Sequence, residues 1–271
     1  MPRPIVALVT DFGSRDHYVG AVKGAVLAAC PEAVLVDVVH DLQPHDVLEG
    51  AYSLDAAYRA FPPGTVFVAV VDPGVGSARR GLGVEAGGYR FVGPDNGIFT
   101  FILAANPEAR VHALMNAGLF RYEVSPTFHA RDIFGPVAGH LARGLPLDHV
   151  GPAVEHPVLL QTETVRRVGD EWETTVLHVD RFGNLTTHLR REELERVLER
   201  VGGDPTQVVL VVEGVVMPLV TAYSDVPEGD ACGLPGSSGR LEVAVNRGNA
   251  SRLLGAGKGA PVRIRLVPAE M

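Results

Sequence analysis

The chain has 271 residues, 46% of them hydrophobic and 21% charged, a composition that suits one large or two modest folded domains and excludes a disordered chain. Its 24 Lys and Arg face 32 Asp and Glu, for a net charge of −8, and its basic residues form only short pairs such as Arg166-Arg167 and Arg190-Arg191. That balance speaks against a nucleic-acid backbone as partner, and the longest apolar runs, Thr65–Val71 and Val208–Val212, fall far short of the roughly 20 residues of a membrane helix.

In chain order, Ile5–Val9 predicts a strand and Tyr18–Ala29 a helix with Val19, Val22, Val26 and Leu27 as its apolar positions. Val34–Val39 predicts a second strand, Val47–Tyr58 a second helix, and Thr65–Val71 a strand buried on both faces. Gly87-Gly88 reads as a hairpin turn, Val111–Met115 as a short strand and Ile133–Leu141 as a helix. Alternating strands and helices over residues 1–152 imply an α/β domain with a largely parallel sheet. Residues 153–170 lack a period and are expected to link two domains. Residues 171–271 then read as a smaller, mainly antiparallel β domain. Its expected strands are Thr174–Val179, Val208–Val212, Val215–Val220, Leu241–Val245 and Val262–Val267, and its expected short helices Glu192–Val201 and Asn249–Leu254. Cys30 and Cys232 stand far apart in no metal-ligand spacing, and the first strand opens without the basic region and long apolar stretch of a signal peptide. The expectation is a soluble, cytoplasmic protein.

Ligands of a parallel sheet bind beyond the carboxyl ends of its strands. Three carboxylates fall at such ends: Asp11 in Thr10-Asp11-Phe12-Gly13, Asp72 in Asp72-Pro73-Gly74-Val75-Gly76, and Asp95 in Gly93-Pro94-Asp95-Asn96-Gly97. Each sits beside Gly or Pro and reads singly as a turn residue, but their convergence on one sheet edge predicts a site. Gly74-Val75-Gly76 is a poor dinucleotide fingerprint, because Arg79 stands where the third glycine belongs. No phosphate-binding lysine loop, His-Glu-x-x-His or Gly-x-Ser-x-Gly occurs, and the ten histidines show no zinc spacing. Clustered aspartates holding magnesium for phosphoryl transfer remain a competing reading. His129 precedes a helix in Thr127–Asp132, where Asp132 reads as a helix N-terminal residue, and Asp180–Asn184 follows a strand as an ordinary turn.

Together these motifs, with Gly236-Ser237-Ser238-Gly239 and Val245-Asn246-Arg247, resemble in order and across nearly the whole chain the S-adenosyl-L-methionine (SAM) hydrolases. These are also called SAM hydroxide adenosyltransferases and are relatives of the fluorinases and chlorinases. The resemblance implies an α/β domain followed by a β domain, and a homotrimer binding SAM between the N-terminal domain of one subunit and the C-terminal domain of its neighbour. It implies attack of water on the ribose 5′ carbon, giving adenosine and L-methionine. No metal or cofactor is needed, because the sulfonium is already an activated leaving group. The family's water-handling trio matches Asp72, Arg79 and His129 here. Asp11 matches the acceptor of the ribose hydroxyls, Asp180 a carboxylate facing the methionine ammonium, and Asn184 an amide on adenine. Ser237 and Ser238 match the methionine end, Val245 and Arg247 backbone contacts to adenine, and Phe128 an aromatic wall at the reacting carbon. The fluorinase has tyrosine and then serine after that phenylalanine, with arginine at the second serine position and tryptophan at a wall. His129, Ala130, Ser238 and His45 stand there instead, so a halide is less supported than water. A SAM-dependent halogenase and a non-catalytic SAM or adenosine sensor are the alternatives.

Overall fold

The computed structural model describes residues 3–162, 165–169 and 171–267. It divides into two compact units, Met1–Leu160 and Gln161–Met271.

Unit 1 holds six strands: β1 (Ile5–Thr10), β2 (Val34–Val39), β3 (Val66–Val70), β4 (Gly81–Ala86), β5 (Tyr89–Pro94) and β6 (Arg110–Ala113), in the order β2-β1-β3-β5-β4-β6. Its helices are α1 (Tyr18–Ala29), α2 (Val47–Ala57), α3 (Thr100–Ala105) and α4 (Gly135–Ala142). Successive strand side chains point to opposite faces, so a strand covered on both sides must be apolar throughout. β1 shows this: Val6 and Leu8 join Val22, Val26, Val137 and Leu141 in one core, whereas Ala7 and Val9 join Leu54, Ile98 and Ile102 in the other.

The sheet is mixed, which corrects the expectation of a largely parallel one. β2, β1, β3 and β5 pair in parallel, but β4 pairs antiparallel with both β5 and β6. The reason lies in the turn. Gly87 and Gly88 take φ of +58° and +84°, the left-handed pair of a two-residue hairpin, and so short a link cannot return a strand in parallel.

α4 enters from a π-helical turn, Ala130–Phe134, and packs closely on α1. A Cβ on Gly139 would stand 2.7 Å from both the Ala29 side chain and the Val26 carbonyl oxygen. The stretch expected to link the domains is tied down at its start: Val158 N donates to Asp95 Oδ1 at 2.7 Å and Leu160 N to Thr100 Oγ1 at 2.9 Å.

Unit 2 is antiparallel, as its valine-rich runs predict. Its strands are β7 (Arg166–Val168), β8 (Glu171–Val179), β9 (Leu185–Arg190), β10 (Val208–Val212), β11 (Val215–Pro218), β12 (Ala231–Pro235), β13 (Arg240–Val245) and β14 (Pro261–Leu266). The path runs β11-β10-β14-β8-β9-β13-β12, with β7 beside β8, and a bridge between Leu219 and Gly233 brings its two ends together. α5 (Arg191–Glu199) buries Leu194 and Val197, while α6 (Ala250–Leu254) starts where Asn249 Oδ1 caps Arg252 N at 2.8 Å. Among the described residues no helix is long and apolar enough to cross a membrane.

Candidate active site

The carboxyl ends of β1 and β3 open onto a cavity of about 320 Å³ in unit 1. Asp11 and Asp72, each just past its strand, share it with Phe128, His129 and Ala130 from the segment leading into α4. Asp95 does not join them. It is 5% exposed, accepts from Arg80 Nε at 2.7 Å and from Val158 N, and so pins a loop instead of facing the cavity. Of the three sheet-edge carboxylates, two converge.

Asp72, Arg79 and His129 form one hydrogen-bonded chain. Arg79 Nε donates to Asp72 Oδ1 at 2.8 Å and Arg79 Nη2 to Asp72 Oδ2, a bidentate pairing that holds the guanidinium plane fixed. Both side chains are nearly buried, at 10% and 5% exposure, so solvent screens their attraction little. The second Nη2 hydrogen reaches His129 Nδ1 at 2.9 Å. A guanidinium has no acceptor, so Nδ1 must accept, and the neutral imidazole carries its proton on Nε2. Burial first, and then the Arg79 charge, hold the His129 pKa below the ordinary imidazole value, against the opposing pull of Asp72 and Asp132. The trio therefore holds a neutral ring in one orientation, with Nε2–H as its fixed donor.

Its surroundings are equally built. Asp11 Oδ2 accepts from His45 N at 2.9 Å, and His45 holds a left-handed backbone, φ +70°, unusual for a non-glycine residue. Phe128 meets Phe12 and Tyr18 edge to face, with centroids 6.1 and 5.3 Å away, which fixes one wall. Phe12 and Tyr18 escape a reading of the sequence, because they resemble a turn residue and the outer face of a helix. Asp132, fully buried, accepts from Arg131 Nε at 2.7 Å and Ser125 N at 2.9 Å. It shapes the segment that carries His129, a role closer to its reading as a helix-entry residue than to catalysis.

In unit 2, Asn184, Val245 and Arg247 line a cavity of about 460 Å³ with Phe182, Tyr223 and Gly248. Arg247 sends its side chain outward to Glu228 at 3.1 Å while its backbone takes φ +54°, an arrangement that leaves the main chain at the wall. Asp180, Ser237 and Ser238 are not among those walls. Asp180 Oδ1 accepts from Phe182 N and Asn184 N, each at 2.9 Å, and Oδ2 from Asn184 Nδ2 at 3.0 Å, so it shapes the turn that carries Asn184. Ser237 is exposed, whereas Ser238 Oγ is buried without a partner. Among the described residues no group of three His, Cys, Asp or Glu is placed to hold a metal ion.

Comparison with known proteins agrees with these two units. The SAM hydroxide adenosyltransferase N-terminal domain matches residues 6–151, and the corresponding C-terminal domain residues 174–263. An (R)-S-adenosyl-L-methionine hydrolase of Thermus thermophilus is 40% identical, over 97% of this chain and 99% of its own. One from Methanocaldococcus jannaschii is 32% identical over 92% and 91%, and a fluorinase of an Actinoplanes species is 31% identical over 90% and 91%. A Thermotoga maritima crystal structure of an uncharacterized conserved protein superposes with a TM-score of 0.89 at 34% identity, over 96% of this chain and 99% of that one. Matched along nearly its whole length, the chain belongs to the SAM hydroxide adenosyltransferase family.

Proposed function

We propose that the chain hydrolyses SAM to adenosine and L-methionine. The observation that carries this reading is the Asp72–Arg79–His129 chain, whose Asp72 and His129 line a cavity shared with Asp11 and Ala130. A sulfonium leaves as a neutral thioether, so the reaction needs a well-placed water and a dry wall more than a strong base. His129 Nε2–H holds the water oxygen toward the 5′ carbon, while Arg79, its Nε and Nη2 donors taken by Asp72 and His129, fixes the ring and supplies positive charge behind it. As the C–O bond forms, the C–S bond breaks and its electron pair stays on sulfur. The protonated alcohol, a strong acid, then loses its proton to solvent. Asp11 accepts from the ribose hydroxyls and Phe128 shields the reacting carbon. In unit 2, Asn184 with the backbone at Val245 and Arg247 receives adenine, and the Ser237-Ser238 segment lies at the methionine end.

The reaction requires no cofactor or metal on this reading, and the assembly is a homotrimer, as the family resemblance implies. The buried free thiols of Cys30 and Cys232 fit a reducing cytoplasm. The test is purified protein with SAM, with and without chelator and chloride, and products separated by mass spectrometry. Adenosine and methionine in every arm are the expected result. A 5′-chloro nucleoside makes the protein a halogenase, activity lost to chelator makes it a metal-dependent enzyme, and bound but unchanged SAM makes it a sensor.

A further inference from the structure

We infer that His40, acting with Thr10 and Asp37, is a positioning residue that presets the Asp11 carboxylate for the ribose hydroxyls. The inference rests on the role of Asp11 in the SAM reading above and extends it to groups outside the cavity walls. Four side chains form one hydrogen-bonded row from α1 through β2 to the end of β1. Lys23 Nζ donates to Asp37 Oδ2 at 2.7 Å, His40 Nε2 meets Asp37 Oδ1 at 2.9 Å, and His40 Nδ1 meets Thr10 Oγ1 at 2.8 Å. An ionised carboxylate only accepts, so Nε2 carries the proton and, in the neutral ring, Nδ1 takes the Thr10 hydroxyl hydrogen. Thr10 Oγ1 then keeps its lone pairs for Phe12 N, 3.4 Å away.

The order carboxylate, imidazole, hydroxyl is that of a nucleophilic triad. Thr10 cannot act as a nucleophile, because it is fully buried and is not a wall of the cavity. What the row holds is the turn that carries Asp11. Leu8 pairs with Asp37 and Val9 with Val39, so Val38 is an extra residue of β2, and this shift leads the chain to His40 beside Thr10.

His40 grips that turn on both sides of Asp11. Its ring takes Thr10, and its carbonyl oxygen accepts from Gly13 N at 2.7 Å. Further along the same segment, His45 N donates to Asp11 Oδ2 itself. The His40 side chain is only 10% exposed, so water competes little for these contacts. Against burial, the hydrogen bonds from His40 and Lys23 hold the Asp37 pKa below the usual carboxylate value, and the row keeps its anchoring charge. Asp11 is thereby aimed before a ligand arrives, which spares binding the cost of ordering it.

The test is calorimetric titration of the full-length protein with adenosine and with 2′,3′-dideoxyadenosine, which lacks the hydroxyls that Asp11 receives. Thr10→Val removes the hydroxyl at nearly constant shape, and Thr10→Ser keeps it. The expected result for Thr10→Val is adenosine weakened by about 5- to 30-fold, as for a weakened hydrogen bond to a charged group, with dideoxyadenosine changed by less than about twofold. Thr10→Ser should stay close to wild type. His40→Asn places an amide oxygen near Nδ1 and keeps an acceptor for Thr10, whereas His40→Gln reaches the Nε2 position and keeps only the link to Asp37. His40→Asn should therefore retain more adenosine affinity than His40→Gln. On an Asp11→Asn background, Thr10→Val should cost adenosine nothing further. Adenosine affinity left intact, equal loss of both nucleosides, or a further loss on the Asp11→Asn background overturns the inference. So does a wild type that binds both nucleosides equally. If Thr10→Val does not fold, the His40 pair decides by the same criterion. The two readings fail separately. A protein that shows this hydroxyl-selective loss but does not hydrolyse SAM defeats the hydrolase reading alone. A SAM hydrolase whose variants weaken both nucleosides equally defeats the His40 assignment alone.

Discussion

At the scale of single residues, the proposed chemistry depends on one imidazole held in one tautomer. His129→Ala removes a fixed donor at the reacting water, and a loss of about 10²–10³-fold in kcat is expected, as for loss of one preorganised donor. SAM affinity should stay within a few-fold, because His129 has no ground-state role in binding. Single-turnover rates and a binding titration on the same variant separate the two, and equal losses in both would make His129 a positioning group for substrate. Protonation should act similarly. A proton on Nδ1 would oppose the Arg79 donor 2.9 Å away, so the trio breaks when the ring charges. Because burial and Arg79 depress the His129 pKa, activity should persist below the usual imidazole midpoint of about 6.5 and fall only at more acidic pH. The sign for folding is the same: the stabilisation is complete above the unfolded pKa and is lost as pH falls through the depressed folded one. A kcat/KM profile whose acid limb centres at or above pH 6.5 would contradict this.

At the scale of elements, the site depends on α4 seating against α1 so that the turn before it presents His129. Gly139→Val inserts bulk where a Cβ already meets two neighbours at 2.7 Å, and should destabilise unit 1 by about 1–3 kcal/mol in denaturant unfolding. The long apolar elements were legible in the sequence because both-face burial leaves an unbroken run, as in β1 and β3. β9 was not. Its Thr186, Thr187 and His188 are buried, with Thr187 Oγ1 donating to the Leu241 carbonyl at 3.0 Å, so tertiary partners override a polar sequence. β12 was hidden by Gly233 and Pro235, and α3 by its length of six residues. The mixed pairing of the first sheet follows from Gly87-Gly88, a turn too short to return β5 parallel to β4. His188 adds a test. Burial, then Arg240, lower its pKa to about 4, so about 3 kcal/mol of stability should disappear between about pH 6.5 and 4. His188→Gln should flatten that part of the unfolding curve, and an unchanged slope would show the ring to be uninvolved.

At the scale of the whole molecule, Asp11, Asp72 and the Asn184 turn were legible as motifs, since each pairs a strand end with Gly or Pro, whereas Arg79 and His129 entered through the family resemblance. What one sequence did not display was the partnering: that Asp95 answers Arg80, and that Asp180 accepts from the turn that carries Asn184. Such facts depend on where distant segments meet. Assembly is likewise a property of the fold's surfaces, and light scattering should give about 86 kDa, three chains of 28.8 kDa each. A single-chain mass at working concentration would contradict the trimer. The central claim is that water attacks the ribose 5′ carbon. The most direct measurement is turnover of SAM in 18O-labelled water, with the label located by mass spectrometry. The account predicts adenosine carrying one 18O at its 5′ hydroxyl, with unlabelled methionine. Adenosine without label, or label confined to another product, would contradict it.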